Sequence, residues 1–180
     1  MAAKVIDVKS FSPKGSDVFF FDNNIWMYLF CPLGNYKQSQ QKYFSQLFND
    51  ILTVRSTLYT TSLIVSEFAN RYLRLDFELW AKLIGTPGLE FKKDFVGTSR
   101  YADTVADITN AIEKIISNST RYPDNFSSID LSRVLKHFSV IDFNDSYFIE
   151  NGLKTNWKLV TDDKDFIKYQ GHNLTVVTFL

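Results

Sequence analysis

Several acidic side chains fall in this chain where chemistry on a phosphate would need them. Asp22 follows the apolar run Val18-Phe19-Phe20-Phe21, and Asp142 and Asp145 follow Val140-Ile141. Asp162, Asp163 and Asp165 come after the run from Trp157 to Thr161. Glu67 sits within Leu63-Ile64-Val65-Ser66-Glu67-Phe68-Ala69, the setting where an acid is least expected. Carboxylates gathered in one place disfavour one another's ionised forms unless a cation offsets them. Mg2+ or Mn2+ suits that task, being a hard ion that takes oxygen ligands and bridges to phosphate. A site of that kind activates water and stabilises the leaving oxygen in phosphodiester hydrolysis. Cys31 is the lone cysteine, and His137 and His172 fall on different segments, so no thiol or imidazole spacing competes.

Each acid also has a plainer reading. Asp22, Asp145 and Asp165 suit the caps of the helical segments beside them. Asp162 is typical of a solvated turn, and Glu67 of a partly exposed helix position. Spacing alone leaves open the choice between Asp142 and Asp145, and the choice among Asp162, Asp163 and Asp165.

The elements that must position these residues alternate in type. Short apolar or β-branched runs at 18–21, 58–61, 140–141, 157–161 and 174–180 read as strands. Helical periodicity covers 24–30, 38–54, a stretch from 62 or 63 into the low eighties, 101–117, 129–138 and 145–154. Pro32 with Gly34, and Gly85 with Pro87, act as stops. Segments 88–99, with Lys92 and Lys93, and 122–128 read as loops. Strands separated by helices imply an α/β fold with a central, mostly parallel sheet flanked by helices. In such sheets ligands bind beyond the carboxyl ends of the strands, the edge where these acids fall.

With no repeat, linker or low-complexity tract, residues 1–180 read as one domain. The 17 phenylalanines fit a packed core. The charges balance, with 20 Lys and Arg against 20 Asp and Glu. That counts against a dedicated duplex-binding module but not against a nuclease, whose site must be acidic. The lone cysteine, a polar stretch over 1–16 and the lack of a long apolar run lead to the expectation of a cytoplasmic protein away from membranes.

Four stretches resemble the motifs of the PIN-domain family, in the family's order. They are Phe21-Asp22-Asn23-Asn24-Ile25-Trp26, Thr61-Ser62-Leu63-Ile64-Val65-Ser66-Glu67-Phe68, Phe143-Asn144-Asp145 and Leu159-Val160-Thr161-Asp162-Asp163-Lys164-Asp165-Phe166. The resemblance implies a PIN-like fold and makes Asp22, Glu67, Asp145 and Asp163 the catalytic, metal-binding acids. It makes Asn24, Thr161 and Asp165 supporting groups. It further implies a Mg2+- or Mn2+-dependent endoribonuclease acting on RNA, as in VapC-like toxins, with an antitoxin protein as partner and room for a homodimer. Two features depart from the family: the helix after Asp145 carries bulky residues, and the middle, about 74–139, is longer than in compact toxins. Arg71, Arg74, Lys92, Lys93 and Arg100 are candidates for gripping substrate, unless they form a solvated surface mixed with Asp76, Glu78, Glu90 and Asp94. The alternative function is a non-catalytic PIN-like module that binds RNA or protein. A receiver-like domain would want a lysine after the last strand, and the chain ends there at Leu180.

Overall fold

The computed structural model describes residues 3–168 and 173–180; His172 lies outside them. The chain runs through β1 (Lys4–Asp7), β2 (Val18–Phe21), α1 (Asn23–Phe30), α2 (Gln38–Thr53), β3 (Thr57–Thr60) and α3 (Ser62–Ile84). A π-helical turn (Phe91–Phe95), α4 (Ser99–Ser117), β4 (Thr120–Arg121), α5 (Leu131–Phe138) and α6 (Phe143–Thr155) follow. Then come β5 (Lys158–Val160), α7 (Asp165–Lys168) and β6 (Thr175–Thr178). The six strands lie in the order β1-β6-β5-β2-β3-β4, and every pair is parallel. The fold is α/β, with the helices flanking a sheet that is parallel throughout.

β2 pairs with β3 on one edge and β5 on the other, and as an interior strand it has both faces covered by the residues packed on the sheet. That is why Phe19, Phe20 and Phe21 are all fully buried and the strand shows no polar alternation. Trp157 stacks on Phe20 with ring centroids 4.4 Å apart, which ties the start of β5 to the central strand. Side chains start the helices as local chemistry requires: Thr61 Oγ1 accepts from Ile64 N, and Asp142 Oδ1 accepts from Asp145 N. α3 ends at Gly85, whose φ of 70° lies in the left-handed region that glycine adopts freely. Among the described residues no helix is long and apolar enough to cross a membrane.

Four segments differ from the expectations. Val140 and Ile141 form no strand; their N–H groups donate to His137 O and finish α5 instead. With Val140 67% exposed, nothing covers that position as a sheet would. Two further strands have too little apolar sequence to announce themselves. β1 contributes only Val5 and Ile6 between charged residues at the sheet edge, and β4 has two residues. Segment 88–99 is more than a loop, because Phe95 is fully buried among Phe77, Trp80, Phe91 and Tyr101. This satellite cluster shapes the π-helical turn.

Candidate active site

After β2 the chain moves out to β3 and β4, then returns to the opposite side of β2 with β5 and β6. The direction of winding therefore reverses between β2 and β5, and a crevice opens at their carboxyl ends. Asp22 is the residue after β2, and Thr161 to Asp163 follow β5. Asp22 N donates to Val160 O at 3.0 Å, so the two strands stay in register up to the crevice itself. An open cavity of about 510 Å3 lies there, lined by Asp22, Asn23, Asn24, Glu67, Arg71, Asp142, Asp145 and Asp163, with Tyr28 and Tyr36 among its other walls. A cavity of about 460 Å3 beside Cys31, Tyr72 and Lys114 has Asp107 as its one acid, so the acids single out the first.

A hydrogen-bond network holds the floor of the cavity. Thr161 Oγ1 donates to Asp22 Oδ2 at 2.6 Å and accepts from Asp163 N at 2.9 Å. Asn24 Nδ2 donates to Asp22 Oδ2 at 2.5 Å and to Thr161 Oγ1 at 3.1 Å, while Asn24 Oδ1 accepts from Asp162 N. The side chains of Asn24 and Thr161 thus bind the end of β5 to the start of α1 and fix one carboxylate oxygen of Asp22. Asp22 Oδ1 also accepts from Asn23 N, so the capping role and the site position belong to one residue. Across the cavity, Asn144 Nδ2 donates to Glu67 Oε2 at 3.3 Å.

These acids are electrostatically coupled across the cavity. Burial pushes the Asp22 pKa up to about 7, partly offset by the Thr161 hydroxyl and reinforced by the charges of Glu67 and Asp163. For Asp145, burial and then the charges of Asp142, Asp22, Asp163 and Glu67 push it up to about 9. Glu67 is also raised, first by burial and then by Asp142, against hydrogen bonds from Asn144 and Asn23. Four of the five acids are thus coupled to Asp145 through space.

The site takes in Asp22, Glu67, Asp145 and Asp163, and Asp142 joins them on the cavity wall. Asp142 is the cap of α6, and Asp145 stands in the first turn, which reverses the capping assigned to Asp145 from sequence. Asp165 is exposed and lies near Lys168; its backbone N–H, rather than its carboxylate, reaches Asp163 Oδ1. Asp162 is no free turn residue. Its Oδ2 accepts from Tyr28 Oη at 2.8 Å and Gln40 Nε2 at 2.6 Å.

Among the cations, Arg71 lines the cavity and Arg74 borders the groove beside it, whereas Lys92 and Lys93 line neither. Arg100 is committed elsewhere, with Nε 3.0 Å from Asp76 Oδ2. Asp76 is 2% exposed, so it belongs to no solvated surface. Burial pushes its pKa up, but the hydrogen bonds from Arg100 and Thr104 outweigh that and hold it below the ordinary carboxylate value.

The donor set suits a hard divalent cation: several oxygens, crowded enough that two acids keep protons near neutrality. Asn23, overlooked in the sequence, adds to it. The residue is buried on the cavity wall, and its Oδ1 has no hydrogen-bond partner. The only sequence signal for it was its place between Asp22 and Asn24. Among the described residues, however, no group of three or more His, Cys, Asp or Glu is already arranged to hold an ion. A cation would have to draw the carboxylates together.

No family model matches the chain, and no curated protein matches it. Among solved structures it is similar to a chain of VapBC2 from Rickettsia felis, solved bound to a DNA fragment from their promoter. The two share 11% identity with a TM-score of 0.52, over 88% of this chain and 98% of the other. At that identity the likeness establishes fold alone: the chain has the PIN-like α/β architecture that its motifs resemble.

Proposed function

We propose that the chain is a Mg2+- or Mn2+-dependent endoribonuclease of the toxin–antitoxin kind, acting in the cytoplasm. The observation that carries this reading is the convergence of five carboxylates on one cavity at the sheet's switch point. Asp22, Glu67, Asp145 and Asp163 would hold the ion, with Asn23 Oδ1 as a neutral oxygen beside them. When bound, the ion neutralises the carboxylates, offsets charge on the scissile phosphate and lowers the pKa of an attacking water. Thr161 and Asn24 keep Asp22 aimed through two hydrogen bonds to one oxygen, and Asn144 holds Glu67 through one. Asp22 and Asp145 carry protons near neutrality, so loading the site releases protons and its affinity rises with pH. The likeness to a chain of a VapBC2 complex supports a protein partner. That partner would present an apolar helix with a basic side chain reaching the acids.

The test is RNA incubated with the protein in Mg2+, in Mn2+ and in EDTA. Cleavage is expected with either ion and none in EDTA. Asp22→Asn should slow it by at least ~100-fold, since losing electrostatic stabilisation costs several kcal/mol of barrier. Wild-type rates in that variant would refute the assignment. A non-catalytic RNA- or protein-binding module is the second reading, favoured by the loose arrangement of the acids for an ion. It predicts no cleavage with any ion.

A further inference from the structure

A groove of about 460 Å3 continues the acidic cavity along α3, walled by Ser66, Glu67, Asn70, Arg71, Arg74 and Asn144. Glu67 and Arg71 line both spaces, so the two are contiguous. We propose that this groove binds a phosphodiester of single-stranded RNA adjoining the one presented to the acids, with Arg71 and Arg74 as its contacts. The proposal rests on the ribonuclease reading and names the part of the substrate that reading leaves unheld.

Three observations carry it. First, neither guanidinium is held in an ion pair among the described residues, although the Arg71 charge is felt by Glu67 beside it, whereas Arg100 is paired with Asp76 and Arg133 with Glu150. Second, Arg71 and Arg74 stand three residues apart on α3, a spacing that puts them on one helix face. Third, the Arg74 guanidinium lies 4.1 Å from the centroid of the Phe91 ring. Stacking of that kind fixes a guanidinium without neutralising it and leaves its in-plane N–H groups to meet phosphate oxygens. Phe91 belongs to the π-helical turn, so the long middle of the chain acquires a role: it holds Arg74 in place.

The need for such a contact follows from charge. The ionised acids of the cavity repel a polyanion, and a chain of net charge zero supplies no general attraction. Grip must come from cations placed beside the acids. Asp22 is only 6% exposed, at the floor of the cavity, so a phosphate must descend to reach it. A single strand with splayed bases can do that, whereas a regular duplex holds its phosphates on a convex outer surface.

The experiment is fluorescence anisotropy of a short labelled single-stranded oligoribonucleotide across a salt series, in EDTA to prevent turnover. Wild type should bind with a salt-dependent affinity. Arg71→Ala and Arg74→Ala should each flatten the log–log salt slope by about 0.7, which is roughly a five-fold loss at about 0.1 M salt. Arg74→Lys should keep the slope, having kept the charge, and Lys92→Ala should behave as wild type. Circular dichroism of each variant should match wild type. Wild-type slopes in both alanine variants, or an equal loss in Lys92→Ala, would overturn the proposal. So would an acidic peptide binding with the same arginine dependence while RNA does not bind, which would assign the groove to a protein partner. Cleavage by Asp163→Asn, run in parallel with Mg2+, tests the underlying reading separately. If that variant cuts like wild type while the arginine slopes change, the ribonuclease site is wrong and the groove stands. If it is dead while the slopes are unchanged, the site stands and the groove is wrong.

Discussion

Burial and four neighbouring carboxylates hold the Asp145 pKa at about 9, while the N–H of the same residue donates to the Asp142 cap. The two acids therefore divide one job at the start of α6: Asp142 closes the helix, and Asp145 faces the other acids. Asn substitutions at each, assayed side by side, should show the larger loss of cleavage in Asp145→Asn, by ~100-fold. Asp142→Asn keeps a good capping side chain and should lose less. A larger loss at Asp142 would transfer the role. Asp162 calls for a different expectation from its neighbour. Its carboxylate takes hydrogen bonds from Tyr28 on α1 and Gln40 on α2, so Asp162→Asn should lower the melting temperature yet leave cleavage close to normal. Loss of cleavage with an unchanged melting temperature would put Asp162 in the chemistry.

At the scale of elements, the central strand and its followers were legible because burial on both faces writes a continuous apolar run. Val18 to Phe21 has that form; in β5 Lys158 interrupts it and pairs with Asp17, while Trp157, Leu159 and Val160 still mark the strand, and the acids after both strands came with them. The α5–α6 turn was not legible. Val140 and Ile141 are β-branched like a strand, but α6 begins at once and the helix end takes their N–H groups. The Asp76–Arg100 pair was hidden for another reason: its residues lie 24 apart in sequence, and only the packing of α3 on α4 brings them together. Arg100→Ala would leave Asp76 buried and unpaired, a cost of about 2 kcal/mol or more. Chemical denaturation should register it, and an unchanged midpoint would show the pair to be dispensable. Bulk along α6 is explained by burial, since Ser146 to Gly152 are all buried. A Cβ at Gly152 would stand 2.4 Å from Trp157 Nε1 and 2.9 Å from Leu174 Cδ1. Gly152→Ala should therefore destabilise by about 1–3 kcal/mol through overpacking. An alanine variant as stable as wild type would mean that Trp157 can move aside.

For the molecule as a whole, a crowded acidic site makes stability depend on pH and on cations. Asp22 and Asp145 have raised pKa values in the folded protein, about 7 and about 9, against about 3.9 for an unfolded aspartate. Between those values the native state holds protons that the unfolded chain has released, so stability falls as pH rises. The contribution is complete below about pH 4 and is lost progressively towards pH 7 for Asp22 and pH 9 for Asp145. In EDTA the melting temperature should drop between about pH 5 and pH 8. A flat or rising profile would show that these carboxyls are not held as described.

A divalent ion should reverse that loss, which makes metal-dependent melting the most direct measurement of the central claim. An ion at ten times its dissociation constant, binding only the native state, contributes about 1.4 kcal/mol. For a chain of this size that raises the melting temperature by roughly 3–6 °C. Near pH 8, Mn2+ or Mg2+ should produce that rise in wild type, and NaCl of matched ionic strength should not. Asp163→Asn should lose most of it, and without metal should melt no lower than wild type because one repelling charge has gone. Equal metal responses in the two proteins would place any bound ion elsewhere and contradict the account.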